Sequence, residues 1–156
     1  MAITINGLEE LKGGVGREAV SEWHEVNQEI INQFAEVSGD DNPLHVDEEF
    51  ATQTPFGGTI AHGSWVLSLT SMFMKSLWQL EGFDFGVLYG FNRVRFPAPL
   101  PVDSKVRMRL RVASVEPIPG GAQIINELTF ECEDADKPVC VAEHVARVYG
   151  EGDAQP

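Results

Sequence analysis

The chain has 156 residues, of which 43% are hydrophobic and 22% are charged, and this length and composition predict one globular domain over residues 1–150. The formal net charge of −13 argues against a nucleic-acid-binding protein, which needs a basic surface to neutralise phosphates. The same acidity argues against a protein that attaches to an anionic membrane surface.

The first half of the chain predicts helices and loops. Its amino terminus, MAITINGLEELK, lacks the basic and apolar segments of a secretory signal peptide, so we expect a cytoplasmic protein. Residues 17–26 alternate like a β-strand, and Asn27 can then cap a helix that ends at Gly39. The apolar face of this helix comprises Ile30, Ile31, Phe34 and Val37. In the turn-rich segment that follows, Asp47 can cap one further helical turn.

The second half predicts a buried helix followed by a sheet. Residues 64–80 carry apolar side chains around nearly the whole circumference of a helix, which indicates burial, while interspersed polar residues argue against a membrane span. Four β-rich runs separated by Pro and Gly turns follow, at 85–96, 105–116, 123–133 and 139–149. Together they predict an α+β fold with a curved antiparallel sheet around the helix. Cys132 and Cys140 are predicted to be reduced packing residues, and residues 151–156 a disordered tail.

The stretch GDDNPLH, residues 39–45, is the candidate catalytic motif. It places Asp40 and His45 on one irregular loop, where Pro43 and a turn at Asn42 can bring both side chains to a common point. A carboxylate and an imidazole that share one water can polarise it and return a proton near neutral pH. The alternative is that Gly39 and Asp40 only end a helix and that His45 fills a gap under the loop.

Further motifs support the catalytic interpretation. The GDDNPLH stretch is followed after five residues by a small residue, Ala51, and Ala61, His62 and Gly63 open the predicted central helix. In these positions the chain resembles the MaoC-like family of (R)-specific enoyl-CoA hydratases, with Gly-Asp-x-Asn-Pro-Leu-His and Ala/Val-His-Gly signatures. The stretches FGGTIAHG, YGFNRVRFPAPLPVDS and KPVCVAE also look like the single-domain members grouped with nodulation protein N.

The resemblance implies a hot-dog fold and a set of site residues. Asp40 and His45 would be the catalytic dyad, and the N–H of Gly63 would form the oxyanion hole for the thioester carbonyl. Attack of water at C3 leaves an enolate on that oxygen, which a preorganised N–H at a helix start stabilises. Close packing is the alternative role of Gly63. We expect His62 to orient the helix entrance or to satisfy a loop carbonyl, and Asn42 either to bind substrate or to hold the turn.

A basic cluster and one departure from the family bear on the substrate. Six of the eleven lysines and arginines lie between residues 93 and 111, namely Arg93, Arg95, Lys105, Arg107, Arg109 and Arg111. The last four share one strand face, for which solvation is the simplest interpretation, whereas Arg93 and Arg95 are candidate contacts for the phosphates of coenzyme A. After His-Gly, relatives often carry Met or Phe, whereas this chain has Ser64 and Trp65 near where the acyl chain should lie. We therefore expect Ser64 to contact the substrate, and the preferred acyl length stays open.

The expected function is an (R)-specific enoyl-CoA hydratase, which adds water to trans-2-enoyl-CoA or runs the reverse dehydration. Coenzyme A would enter only as part of the substrate, with no other cofactor and no metal. We expect a homodimer, because a single sheet otherwise leaves a long edge exposed. The alternatives are a 3-hydroxyacyl-ACP dehydratase, a hot-dog acyl-CoA thioesterase and a noncatalytic acyl-binding protein. The thioesterase is disfavoured because residues 64–80 contain no Asp or Glu, and the noncatalytic protein because the dyad is intact.

Overall fold

A computed structural model describes residues 2–150, so the expected disordered tail, residues 151–156, lies outside the described residues. The strands are β1 Ile3–Asn6, β2 Glu18–Val20, β3 His24–Glu25, β4 Trp78–Glu81, β5 Phe85–Arg95, β6 Lys105–Ile118, β7 Gly121–Cys132 and β8 Cys140–Tyr149. The helices are α1 Gly7–Lys12, α2 Gln28–Ser38, α3 Pro43–Val46, α4 Glu48–Thr52, α5 Gly63–Ser68 and α6 Thr70–Leu77.

The four long strands form one antiparallel sheet. Its order is β2-β6-β7-β8-β5, and β3 pairs with β6 beside β2. Alternate side chains of β6, at Val106, Met108, Leu110 and Val112, are fully buried in the core, as the period of two along a strand requires. The four predicted strands and the α+β class are therefore confirmed, with strand ends that differ by a few residues.

The central helix crosses this sheet as the hot-dog architecture requires, but the prediction of one helix buried on all sides over residues 64–80 was wrong. The helix is divided at Leu69 into α5 and α6, and only one face is buried. Met72 on the opposite face is 39% exposed. The chain leaves the helix at Trp78 because residues 78–81 pair in parallel with β1. No helix among residues 2–150 is long and apolar enough to cross a membrane.

The N-terminal elements were not predicted from the sequence. β1 and α1 bury Ile3, Ile5 and Leu11 against the core, and β1 supplies the partner of β4. The strand predicted at residues 17–26 is present only as two short pieces, β2 and β3, which pair with β6. These additions close one side of the core.

Helix α2 begins and ends where the sequence predicts. Asn27 Oδ1 accepts a hydrogen bond of 2.9 Å from the Ile30 N–H, which satisfies one of the free donors at the helix start. Val37, however, is 88% exposed, so its placement on the apolar face was wrong. Cys132 and Cys140 are buried and form no disulfide, and burial raises the pKa of the Cys140 thiol to about 11.

Candidate active site

Asp40 follows directly on the end of α2. Gly39 ends the helix with a φ of 76°, and its N–H donates to the carbonyl oxygen of Ala35 at 2.9 Å. Glycine suits this position because a side chain is strained in the left-handed region. The backbone of Gly39 therefore ends the helix. The side chain of Asp40 is exposed and is not needed to cap α2.

His45 lies in the short helix α3, which is held at its start by Asn42. The Oδ1 atom of Asn42 accepts from the Leu44 N–H at 3.0 Å, and Pro43 occupies the first helical turn. The Nδ1 atom of His45 lies 2.7 Å from the carbonyl oxygen of Ile60. Because a carbonyl oxygen only accepts, Nδ1 carries the proton in the neutral ring, and the lone pair of Nε2 is available to a reactant.

Gln28 anchors the His45 loop, and sequence reasoning missed it. Its Nε2 donates to the His45 carbonyl oxygen at 2.7 Å, and its Oε1 accepts from the hydroxyl of Thr59 at 2.6 Å. Gln28 thus ties α3 to the start of α2 and to the buried threonine before the central helix. No local pattern points to it, since the partners are 17 and 31 residues away.

His62 brings the two halves of the motif together. Its ring is 1% exposed, and its Nε2 donates to the carbonyl oxygen of Asp40 at 2.9 Å, which confirms that it satisfies a loop carbonyl. One carboxylate oxygen of Asp40 and one ring nitrogen each of His45 and His62 all lie within 4.8 Å of one another. A gap of this size between Asp40 and His45 accommodates one water bonded to both.

The same three side chains are also of the residue types that bind metal ions, and their ligand atoms are close together. The ring centroids of His45 and His62 are 3.8 Å apart and their planes differ by only 31°. An imidazole binds a metal through a lone pair in the plane of its ring. One nitrogen of each ring already bonds a backbone carbonyl oxygen, His45 that of Ile60 and His62 that of Asp40, which leaves one lone pair on each ring. The arrangement favours acid-base chemistry by Asp40 and His45.

An apolar cavity of about 320 Å³ opens beside His45 and Gly63. The apolar lining residues are Phe56, Ile60, Ala61, Val66, Phe96, Pro97, Ala98, Pro99, Leu100 and Val139. The Gly63 N–H, at the first position of α5, has no acceptor among residues 2–150. A Cβ at position 63 would lie 3.0 Å from ring atoms of Phe96, so a side chain there would require the Phe96 ring to shift by a few tenths of an ångström.

Ser64 and Trp65, the departures from the family pattern, do not line this cavity. Ser64 is exposed next to Gly63, whereas Trp65 is buried with its ring centroid 6.4 Å from that of His24. Val66 lines the cavity instead. Trp65, which we expected near the acyl chain, therefore does not line this cavity, because its side chain is on another face of α5.

Arg93 and Arg95 project from β5, the edge strand of the sheet. Arg93 is 72% exposed and its Nε lies 3.8 Å from a carboxylate oxygen of Glu143. Arg95 donates to the carbonyl oxygen of Val94 at 2.7 Å, and it directly precedes the cavity-lining Phe96.

The remaining arginines of the basic cluster are paired on the sheet surface, as the simplest interpretation predicts. Arg107 and Arg109 both donate to the carboxylate of Glu131, at 2.7 Å and 3.3 Å, and Arg111 donates to Glu127 at 2.9 Å. Burial alone would raise the pKa of Glu131, but the hydrogen bonds and charges of the two arginines outweigh it and hold the pKa below its usual value. These arginines are therefore structural.

The chain is similar to several known proteins over most of its length. A family model described as MaoC like domain matches residues 12–127. The 3-hydroxyacyl-thioester dehydratase Z of Mycobacterium tuberculosis is 38% identical, over 92% of this chain and 97% of that protein. Nodulation protein N of Rhizobium leguminosarum bv. viciae is 32% identical, over 96% and 95%. An (R)-specific enoyl-CoA hydratase of Rhodospirillum rubrum is 27% identical, over 74% and 75%.

Solved structures agree with the fold. A monoamine oxidase regulatory protein of Archaeoglobus superposes with a TM-score of 0.78 at 23% identity and covers 96% of this chain and 100% of its own. A MaoC-like dehydratase of Rhodospirillum rubrum superposes with a TM-score of 0.72 at 22% identity, over 88% of this chain and 94% of its own. At these identities the likeness concerns the fold alone.

Proposed function

Since this chain belongs to the MaoC-like domain family and is a hydro-lyase, we propose that it adds water to a trans-2-enoyl thioester, or removes it in reverse, with Asp40 and His45 as the acid-base pair. The observation that carries the proposal is the gap of at most 4.8 Å between the Asp40 carboxylate and the His45 ring. One water bonded to both groups fills such a gap, and His45 opens onto the apolar cavity.

The proposed hydration starts from that bound water. The Asp40 carboxylate accepts one of its hydrogen bonds, and the Nε2 lone pair of His45 takes its second proton while the oxygen forms a bond to C3 of the enoyl group. The electron pair of the double bond moves toward the thioester carbonyl and forms an enolate. The protonated imidazole returns the proton to C2, so that the elements of one water molecule have been added.

Gly63 is the proposed donor to the enolate oxygen. Its N–H has no acceptor among residues 2–150 and lies at the same cavity as His45. A preorganised N–H placed where charge develops stabilises the transition state more than the ground state. The exposed Ser64 next to it is the proposed polar contact for the substrate, while Asn42 acts by capping α3.

The proposed carrier is coenzyme A, which enters as part of the substrate. Arg93 and Arg95 give β5 two exposed cations in a chain with a net charge of −13, and such a local excess of positive charge attracts phosphates. The apolar cavity next to Arg95 suits the acyl group. We accordingly propose an acyl-CoA substrate in preference to an acyl carrier protein.

The proposed stereochemistry follows from the use of one water. When a single water held on one side of the substrate supplies both the hydroxyl and the proton, the addition is syn. The family resemblance then implies the (R)-3-hydroxyacyl product.

The test is direct. Purified protein is mixed with crotonyl-CoA, the loss of the conjugated enoyl thioester is followed by absorbance, and the product is analysed on a chiral column. We expect the (R)-3-hydroxy thioester and no free coenzyme A thiol, with saturated butyryl-CoA as the control substrate. Thiol release from both substrates would indicate a thioesterase, and a predominantly (S) product would contradict the assignment of the site.

A further inference from the structure

The buried ring of His62 lies against the ring of His45. Their centroids are 3.8 Å apart with an interplanar angle of 31°. We propose that His62 is a positioning residue that holds His45 and Asp40 at the separation of one water. This inference rests on the proposed function, but the position of the rings can be tested without it.

The first contribution of His62 is to the backbone of Asp40. Its Nε2–H donates to the Asp40 carbonyl oxygen at 2.9 Å. The other hydrogen bond of this backbone, from the Asp40 N–H to the hydroxyl of Ser38, is longer at 3.3 Å. Asp40 is otherwise exposed after the end of α2, so the bond from His62 fixes the loop that carries the carboxylate.

The second contribution is to the plane of the His45 ring. The hydrogen bond from Nδ1 to the Ile60 carbonyl oxygen holds one edge of that ring but leaves it able to tilt about the bond. The face of His62 prevents this tilt. His62 is itself held by the ring of Phe34, whose centroid is 5.0 Å away at an angle of 61°. The bond to the Ile60 carbonyl oxygen and the contact with the His62 ring thus set the direction of the Nε2 lone pair of His45.

The unpaired Nδ1 of His62 supports a functional role. This atom is buried and has no hydrogen-bond partner among residues 2–150, and such groups are rare because they lose their hydration without compensation. A residue kept only for packing would be better served by an apolar ring. A histidine meets both needs at this position, because its ring stacks on His45 and its Nε2–H donates to the Asp40 carbonyl oxygen.

Two substitutions separate the hydrogen bond to Asp40 from the ring contact with His45, because each removes one and retains the other. His62→Gln retains a donor that can reach the Asp40 carbonyl but removes the ring, and His62→Phe retains the ring but removes the donor. We expect kcat on crotonyl-CoA to fall about tenfold to 100-fold in each, since small displacements of catalytic groups cost this much. KM should stay within about twofold, because no group that binds substrate has been removed.

The control is His24→Gln, which replaces a histidine that is only partly buried and packs against Trp65 and Phe73. This variant should retain the wild-type kcat. If both His62 variants fail to fold, Phe34→Leu, which loosens the ring holding His62, provides the softer test and should lower kcat by several-fold. Folded variants with kcat within about twofold of wild type would overturn the proposal.

Nitrogen-15 NMR of the histidine rings supplies a readout that does not depend on turnover. In the wild-type protein the bond to the Ile60 carbonyl oxygen should hold His45 as one tautomer, protonated at Nδ1. In His62→Gln the His45 ring can tilt, which should weaken this bond and allow averaging between the two tautomers. Unchanged His45 signals in a folded His62→Gln protein would also overturn the proposal. A wild-type protein inactive on enoyl thioesters would refute the proposed function alone, since the NMR result would still test the role of His62.

Discussion

At the scale of single residues, the two members of the proposed dyad are held in different ways. His45 is fixed by the Ile60 carbonyl at one ring nitrogen and by Gln28 at its own carbonyl oxygen. Asp40 is held through its backbone, because its carbonyl oxygen accepts a hydrogen bond of 2.9 Å from Nε2 of His62. Its carboxylate stays exposed. A carboxylate and an imidazole held apart in this way can share a water without forming a direct ion pair.

The first prediction concerns this dyad. Asp40→Asn and His45→Gln should each lower kcat by about 10²- to 10⁴-fold, the usual contribution of a general acid or base. The double mutant should be little worse than either single mutant, because groups that act on one water fail as a unit. Steady-state kinetics on crotonyl-CoA measures all three variants.

The matched control for the dyad is Asp41→Asn, which removes a neighbouring exposed carboxylate and should leave the rate unchanged. Thermal unfolding of each variant should stay near wild type, since Gly39 and not the side chain of Asp40 ends α2. A well-folded Asp40→Asn protein that kept more than about a tenth of the wild-type rate would refute the dyad.

The second prediction concerns Arg95. Arg95→Glu should raise KM for a CoA substrate, with little change in kcat, because the proposed contact is with the distant phosphates. The increase should shrink at high salt, where exposed charges are screened over a Debye length of about 8–10 Å or less. Arg111→Glu is the control, since Arg111 is paired with Glu127 on the sheet surface. An unchanged KM and salt dependence would assign Arg95 to structure.

At the scale of secondary-structure elements, the pairing of β7 with β8 buries a polar pair. Asn126 and His144 lie opposite each other, and the Asn126 Nδ2–H donates to the His144 Nδ1 at 3.3 Å. His144 is 6% exposed, and burial lowers its pKa from 6.5 to about 4. Because burial disfavours the charged form of the imidazole, the folded sheet favours the neutral ring of His144.

The third prediction is a dependence of stability on pH. Between pH 4 and pH 6.5, the unfolded chain binds a proton at His144 that the folded chain does not. Unfolding is therefore favoured as pH falls through this window, and stability is regained as pH rises above it. The depressed pKa corresponds to at most about 3.5 kcal/mol, at about 1.4 kcal/mol per pH unit.

Urea denaturation at a series of pH values between 4 and 7.5 measures this effect. His144→Gln retains a polar partner for Asn126 but cannot take up a proton, so its free energy of unfolding should vary less steeply in the acidic range than that of wild type. Equal slopes for the two proteins would show that His144 is not responsible.

At the scale of the whole molecule, β5 leaves the sheet with an apolar edge. One edge of β5 pairs with β8, and its other edge has no partner strand among residues 2–150. Its exposed large side chains are Phe85, Val87, Leu88 and Tyr89. An edge of this kind is a ready surface for another strand, and a second copy of the chain is the partner that we propose.

The fourth prediction is a homodimer that depends on β5. Light scattering at micromolar concentration should give twice the mass of the chain, and Leu88→Lys should shift it toward monomer, because a charge on an edge strand opposes pairing. Val37→Lys is the control, since Val37 is an even more exposed apolar residue on α2, away from this edge. A fully active wild-type monomer would contradict the prediction.

The sequence alone was sufficient for features whose physical cause is local. The alternation of arginine with apolar residues along β6 reflects the two faces of a strand, and the caps at Asn27 and Gly39 depend on neighbouring backbone groups. The identity and order of the motif residues also sufficed for the family, since residues 12–127 match its model.

Only the tertiary structure decided features that depend on distant partners. As an apolar residue at helical spacing, Trp78 is compatible with the buried helix predicted over residues 64–80. It lies in a strand because residues 78–81 pair with β1, some 75 residues earlier in the chain. Likewise the cluster of Asp40, His45 and His62 requires the α2 end, α3 and the start of α5 to meet. Hydrophobic period and capping describe one element at a time, whereas contacts between elements depend on how the whole chain packs.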